Sequence, residues 1–394
     1  VPGVPASLRR WIASAGLMST YPVMHREVVL GGFSPTALMK AYDITPLRAA
    51  GFDGSGQTVI FPEIDGVDTT ALARFDSLYG LPRPRLTIHG SQLSAGDEAT
   101  MDVEVVHAIA PRARLVVFNF NTHVTNAGWT QETLHMIRSG GGHIISSSVG
   151  GCDGSFNGTD ATAYASVFQQ ADLMGISTFA SSGDNGAYDC LPHGQAPSNG
   201  ALGVDMPAAL PGVTGVGGTT LEVDGSGNWA REAAWEGPIE TSGGGGGVSR
   251  FFSRPGWQSA PGVRANLAMN QYGRRMVPDV SADADPLSGA ALIFPSGAGQ
   301  GGGTSQAAPI WAGVTALIDQ YLTRNNHHIV GFMNPALYDL ARTTPAYPAF
   351  HDVTMGTNLH YPATPGYDMA TGLGTPDAWN LARDLLDYQK ARGQ

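Results

Sequence analysis

Apolar residues run along this chain in short blocks that alternate between two periods. Gln57–Ile64 (QTVIFPEI) is a compact apolar run of strand length, and Asp68–Gly80 (DTTALARFDSLYG) follows with apolar residues at helical spacing. The alternation then repeats. Glu98–Ala110 reads as a helix, Ala113–Phe120 as a strand and Gly142–Gly150 as another strand. Ala161–Gly175 is a helix and Ile176–Asp184 a strand, and helices over Ser305–Leu322 and Asp377–Ala391 complete the series. Such alternation predicts an α/β fold with a central parallel β-sheet flanked by helices on both faces.

Two stretches depart from the pattern. Ser242–Ser249 (SGGGGGVS) is low in complexity and too short for a domain linker, so a surface loop is expected, with close backbone approach to a substrate as the second reading. Residues 1–31 lack strong periodicity and read as an N-terminal arm or the remnant of a removed leader. At 394 residues the chain can form one large domain or two smaller ones. It has no apolar run of transmembrane length, so no membrane partner is expected.

Charge sharpens the picture. Only 14% of residues are charged and the formal net charge is −11, which makes nucleic acid a poor partner. With 22 Lys and Arg and 11 His, full protonation of the carboxylates cannot take the side chains beyond +33. Self-repulsion in acid is therefore limited, which is compatible with acid tolerance. Cys152 and Cys190 form no CxxC pair, so zinc is not expected; a disulfide and two buried thiols both remain open.

Four stretches carry candidate chemistry. Gly301–Gly313 (GGGTSQAAPIWAG) places Ser305 where a glycine-rich turn enters a helix, beside first-turn N–H groups that favour negative charge. A serine hydroxyl needs a neighbouring base. In DEATMDVEVVHAIAP, Glu98 and Asp102 are four residues apart and share a helix face. Carboxyls so close share a proton, although Asp97 and Glu98 would also suit a solvated helix N-terminus. Glu104, on another face, is expected in solvent. In SSGDNG, Asp184 ends a parallel strand, where ligands bind in α/β sheets; an Asx turn is the plainer reading. Asp352 and Asp368 bracket a Gly/Pro-rich loop that offers an oxygen cage for Ca²⁺ or two turn aspartates.

In this order, GGGTSQAAP, DEATMDVEVVHAIAP, SSGDNG and the Asp352–Gly374 stretch resemble the sedolisin family of serine-carboxyl peptidases. GGGGVSRFFSRPGWQ and RRMVPDVSADADP extend the resemblance, which runs from about Gly32 to the C-terminus. It implies a subtilisin-like fold with one catalytic domain over residues 32–394. It also implies a secreted zymogen whose propeptide is removed, and a monomeric endopeptidase that cuts polypeptides in acid. By the same resemblance Ser305 matches the nucleophile, Glu98 the general base, Asp102 its partner and Asp184 the oxyanion-hole acid. One structural Ca²⁺ would be held by Asp352 and Asp368 with the carbonyls of Val353, Thr364 and Gly366, Thr364 standing where members often have glycine. Glu63 in PEIDG resembles an acid that extends the network in members with a tryptophan where Val149 stands here. SSSVGG resembles the edge to which an extended substrate pairs.

Chemistry predicts acid operation from such residues: an ordinary glutamate titrates near ~4.3, and an oxyanion-hole aspartate must be protonated to donate. A rival assignment takes Asp65, His107 and Ser305 as an ordinary subtilisin triad. His107, however, lies inside an apolar helical stretch, nine residues and roughly 180° around the helix from Glu98.

Overall fold

The computed structural model describes residues 28–29, 32–120, 125–191, 201–237, 242–270, 272–343 and 346–393. The arm expected over residues 1–31 lies outside them apart from Val28–Val29, which pair antiparallel with Gly32–Phe33. An eight-stranded sheet organises the rest. Its order is Trp229–Ala234, Thr214–Val223, Ser177–Ser181, Ile144–Ser147, Thr58–Glu63, Arg114–Asn119, Arg85–His89. The eighth strand, Val280–Asp283, pairs parallel with Thr214–Val223. Trp229–Ala234 is antiparallel and the other pairings of this sheet are parallel.

Successive strand residues point to opposite faces, and both faces are covered. From Thr58–Glu63, Val59 and Phe61 enter the larger core with the helices Asp97–Ile109 and Thr304–Arg324. Ile60 enters a second core with Met136 and Ile137 of Asn126–Ser139 and Val167 of Gly158–Leu173. That two-sided burial is why the strands read as continuous apolar runs. The helix Thr69–Tyr79 ends where its sequence says it should. Asp68 accepts from the N–H groups of Thr70 and Ala71, and Gly80 closes it at φ 65°.

Two expectations fail here. The glycine stretch is buried, not a surface loop. A Cβ on Gly245 would stand 1.9 Å from the Ser182 carbonyl oxygen, and one on Gly246 2.1 Å from that of Met369. The glycines are there because backbones meet, and the chain runs on into the strand Gly247–Ser253. Glu104 is also buried. The helix Asp97–Ile109 is packed all round, and the Glu104 Oε2 accepts from the Ile293 N–H at 2.9 Å. Burial pushes this carboxyl up to about 8.

Candidate active site

The strands end in one place. Glu63 closes the central strand, Ser148 follows Ile144–Ser147, and Asp184 follows Ser177–Ser181. Carboxyl ends of parallel strands leave a crevice there. The helices Asp97–Ile109 and Thr304–Arg324 pack against each other and aim their first turns at it.

Ser305 lies in the first turn of its helix, preceded by Gly303 at φ 77°. Its hydroxyl is hydrogen-bonded to the Glu98 carboxyl. Burial raises Glu98, to about 7; the Ser305 bond pulls it down, while Asp184, Asp65 and Asp97 push it up. The ordinary glutamate value expected from sequence is therefore not what this environment gives.

Asp102, fully buried, lies one turn further along. Burial first, then the Glu98 charge, holds its carboxyl well above the usual range. Glu63, also fully buried, is hydrogen-bonded to it. Two carboxylates cannot bond without a proton, and burial disfavours charge on both, so the pair retains at least one. Asp102 has a further partner. The Ser148 hydroxyl lies 2.9 and 2.8 Å from its two oxygens and 3.1 Å from the carbonyl oxygen of Ser305. That carbonyl needs an outside donor because Pro309, four residues on, has no N–H to offer it. A chain of two carboxyls, Glu63 and Asp102, and the Ser148 hydroxyl thus ends on the backbone of Ser305.

Asp184 faces the serine from the other side. Its Oδ1 accepts from the Thr304 N–H at 2.7 Å and the Thr304 hydroxyl at 2.9 Å. With Oδ1 so engaged, a proton on this group sits on Oδ2. That oxygen lies 2.6 Å from where a Cβ on Gly303 would be, so residue 303 must be glycine for both its φ and its space. Behind the turn, Asp189 accepts from the Asn185 N–H at 2.9 Å. The Cys152–Cys190 disulfide joins the end of the SSSVGG edge to the loop that follows Asp184.

Neither remaining member of the rival triad meets Ser305. Asp65 accepts from the N–H groups of Glu98 at 3.3 Å and Ala99 at 2.9 Å, capping the helix that carries the acids. His107 is fully buried on the far side, with Nε2 2.8 Å from the Pro82 carbonyl oxygen and 3.1 Å from Asp76. Burial lowers its affinity for a proton. Sequence reasoning missed Ser148, Thr304 and the capping role of Asp65. The proline four residues after the serine was the available signal for Ser148.

In the C-terminal loop Asp368 is fully buried, and Asp352 is exposed. Asp368 accepts from the N–H groups of Thr364, Ala370 and Thr371, and Asp352 accepts from that of Gly366 at 2.9 Å. Among the described residues no backbone N–H bonds to the carbonyls of Val353, Thr364 or Gly366. An all-oxygen set with unused carbonyls and a buried carboxylate fits Ca²⁺.

The fold and this serine-centred crevice define a subtilisin-type serine peptidase, and the subtilase family matches residues 83–341. The chain belongs to the sedolisin family within that fold and is kumamolisin-like. It is 33% identical to kumamolisin of Bacillus sp. (strain MN-32) over 417 residues, spanning 97% of this chain and 72% of that one. With sedolisin of Pseudomonas sp. (strain 101) the identity is 30% over 375 residues, 89% of this chain and 61% of that one. The solved structure of Pseudomonas sedolisin, a serine-carboxyl proteinase complexed with two molecules of pseudo-iodotyrostatin, superposes with a TM-score of 0.79 at 29% identity. That match covers 92% of this chain and 99% of the other.

Proposed function

We propose that this chain is an acid-acting, secreted serine-carboxyl endopeptidase. The observation that carries the reading is the hydrogen bond between Ser305 and Glu98, with Asp102 one turn behind. Ser305 Oγ attacks the peptide carbonyl carbon as its proton passes to Glu98. The C=O electrons move onto oxygen, where protonated Asp184 and the Ser305 N–H donate to the oxyanion. Collapse expels the amine, which takes the proton from Glu98 and leaves an acyl-enzyme. Water, deprotonated by Glu98, then attacks the acyl carbon, and Ser305 Oγ leaves with that proton as the acid is released.

Low pH keeps Asp184 protonated, so that it can donate to the oxyanion and no longer pushes Glu98 up, and the Ser305 hydrogen bond pulls Glu98 down against burial. Ca²⁺ held by Asp352, Asp368 and the three carbonyls would have a structural role, tying the C-terminal loop to the buried Asp368. Polypeptides are the substrates, a removed propeptide precedes the active form, and the chain acts as a monomer. The test is incubation of a denatured protein with the chain across pH 2 to 7, beside Ser305→Ala. Fragments formed in acid by the parent alone support the reading; none from either, or equal fragments from both, would refute it.

A further inference from the structure

Behind the nucleophile turn, residues 284–290 join the strands Val280–Asp283 and Ala291–Phe294. Both ends of this loop hold the turn by its backbone. The Gly301 N–H donates to the Ala290 carbonyl and the Gly303 N–H to the Ala284 carbonyl, each at 2.7 Å. Gln306, the residue after Ser305, is fully buried and holds both ends of the loop in return. Its Oε1 accepts from the Ala290 N–H at 2.8 Å. Its Nε2 donates to the Asp283 carbonyl at 3.0 Å and to Asp283 Oδ2 at 3.1 Å.

Those partners fix which way the amide faces, since one end meets a donor and the other meets two acceptors. The turn makes room for it: a Cβ on Gly301 would stand 2.4 Å from Gln306 Oε1. Asp283 is itself held from the far side. Its N–H donates to the Tyr42 hydroxyl at 2.7 Å, and its Oδ1 accepts from the Ser288 hydroxyl at 2.6 Å. The Tyr42 proton is committed to Glu232, 2.7 Å away, whose oxygens also accept from Thr219, Trp229 and Thr375. Burial pushes the Asp283 carboxyl well above the usual range. A proton there fits Oδ1, which faces Ser288, so Oδ2 accepts from Gln306 in either state. A glutamine in the buried first turn of an apolar helix costs desolvation, and its three bonds all run to the one loop that grips the nucleophile turn.

We infer that Gln306 and Asp283 are positioning residues that clamp the nucleophile turn from behind and hold Ser305 at its angle of attack. The inference rests on the peptidase reading above and adds two residues to its machinery. The Ser305 hydroxyl and N–H are both carried by the backbone between Gly303 and Gln306. A loosened turn therefore displaces the nucleophile and an oxyanion donor together. Misplacement of a reacting group by about 1 Å costs about 10²-fold in rate. On the same reading the peptide binds along the Ser147–Gly151 edge, which the clamp does not hold, so substrate binding is spared.

The experiment measures kcat and KM on one peptide in acid for the parent, Gln306→Met, Asp283→Ala, their double variant and Asp283→Asn. Melting curves show which fold, and the two single variants break one contact from opposite ends. Gln306→Met and Asp283→Ala should each lower kcat by about 10- to 100-fold, with KM within about threefold of the parent. The double variant should be no slower than the slower single one, because a shared contact is lost once. Asp283→Asn still offers an oxygen to the Gln306 amide, so its kcat should stay within about threefold of the parent. A second readout is amide hydrogen exchange over residues 284–304. It should quicken by about tenfold in Gln306→Met, while the strand Thr58–Glu63 exchanges as in the parent. Folded single variants with parental kcat, losses that multiply in the double variant, or an Asp283→Asn as slow as Asp283→Ala overturn the clamp alone. A parent that cuts nothing overturns the peptidase reading, and equal exchange in the parent and Gln306→Met then overturns the clamp too.

Discussion

Glu98 and His107 stand on opposite sides of one helix, and only Glu98 meets the serine. Glu98 is hydrogen-bonded to Ser305, whereas His107 lies against the Pro82 carbonyl and Asp76 behind the helix. Nine residues turn the helix through about two and a half turns, so one side had to be chosen. Asp102, one turn from Glu98, falls on the serine side and connects it to Glu63.

Ser148 is the link between that carboxyl chain and the serine backbone. Ser148→Ala should leave the fold intact and lower kcat by about 2- to 10-fold, the loss of a neutral hydrogen bond. KM should move little, because the hydroxyl bonds Asp102 and the Ser305 carbonyl. Steady-state kinetics on one peptide check this; an unaltered kcat would remove Ser148 from the network.

Asp184→Asn keeps a donor at every pH. If the variant retains activity, its rate should persist further toward neutral pH than that of the parent. Rate profiles of the two proteins from pH 3 to 8 decide it, and superimposable alkaline limbs would assign that limb to another group.

The elements were legible where one face of the chain meets one neighbour. Asp68 and Gly80 bracket their helix in sequence and cap it in the structure. Ser305, Glu98 and Asp184 come together as the motifs imply, because strand ends and helix starts converge at one edge of the sheet. Glu104 was misplaced because the periodicity of its helix shows two apolar faces and hides that a third is covered by Ala291–Phe294. The glycine stretch was misplaced because composition cannot tell a glycine that bends freely from one pressed between backbones. Ser148 was missed because its partners, Asp102 and the Ser305 carbonyl, are far from it in sequence; the one local sign was Pro309, which frees that carbonyl.

Burial of carboxyls makes stability depend on pH. Burial raises Glu104 to about 8 and Asp319 to about 7, so folding favours their protonated forms. Their contribution is complete below the unfolded values of ~4, and is lost as pH rises through the folded values. The melting temperature should fall steadily from pH 4 to 8. Glu104→Gln keeps an acceptor for the Ile293 N–H without the charge, so its fall should be shallower. Calorimetry across that range checks both; equal slopes would place the loss elsewhere.

A bound calcium should appear in a chelator titration. At pH 6 a chelator should lower the melting temperature of the parent, and Asp368→Asn should abolish the response. At pH 3, where the ligands are protonated, the chelator should have little effect. No response of the parent at pH 6 would contradict a bound ion.

The central claim is that Glu98 does the work a histidine does in other serine peptidases. It is tested most directly by the cleavage rates of Glu98→Gln and His107→Ala on one peptide in acid, with melting curves to show that both fold. Glu98→Gln should lose about 10²- to 10⁴-fold in kcat, the usual weight of a general base. His107→Ala should stay within about tenfold of the parent while melting lower, as loss of a buried side chain predicts. A folded but inactive His107→Ala beside an active Glu98→Gln would contradict the account and make His107 the base.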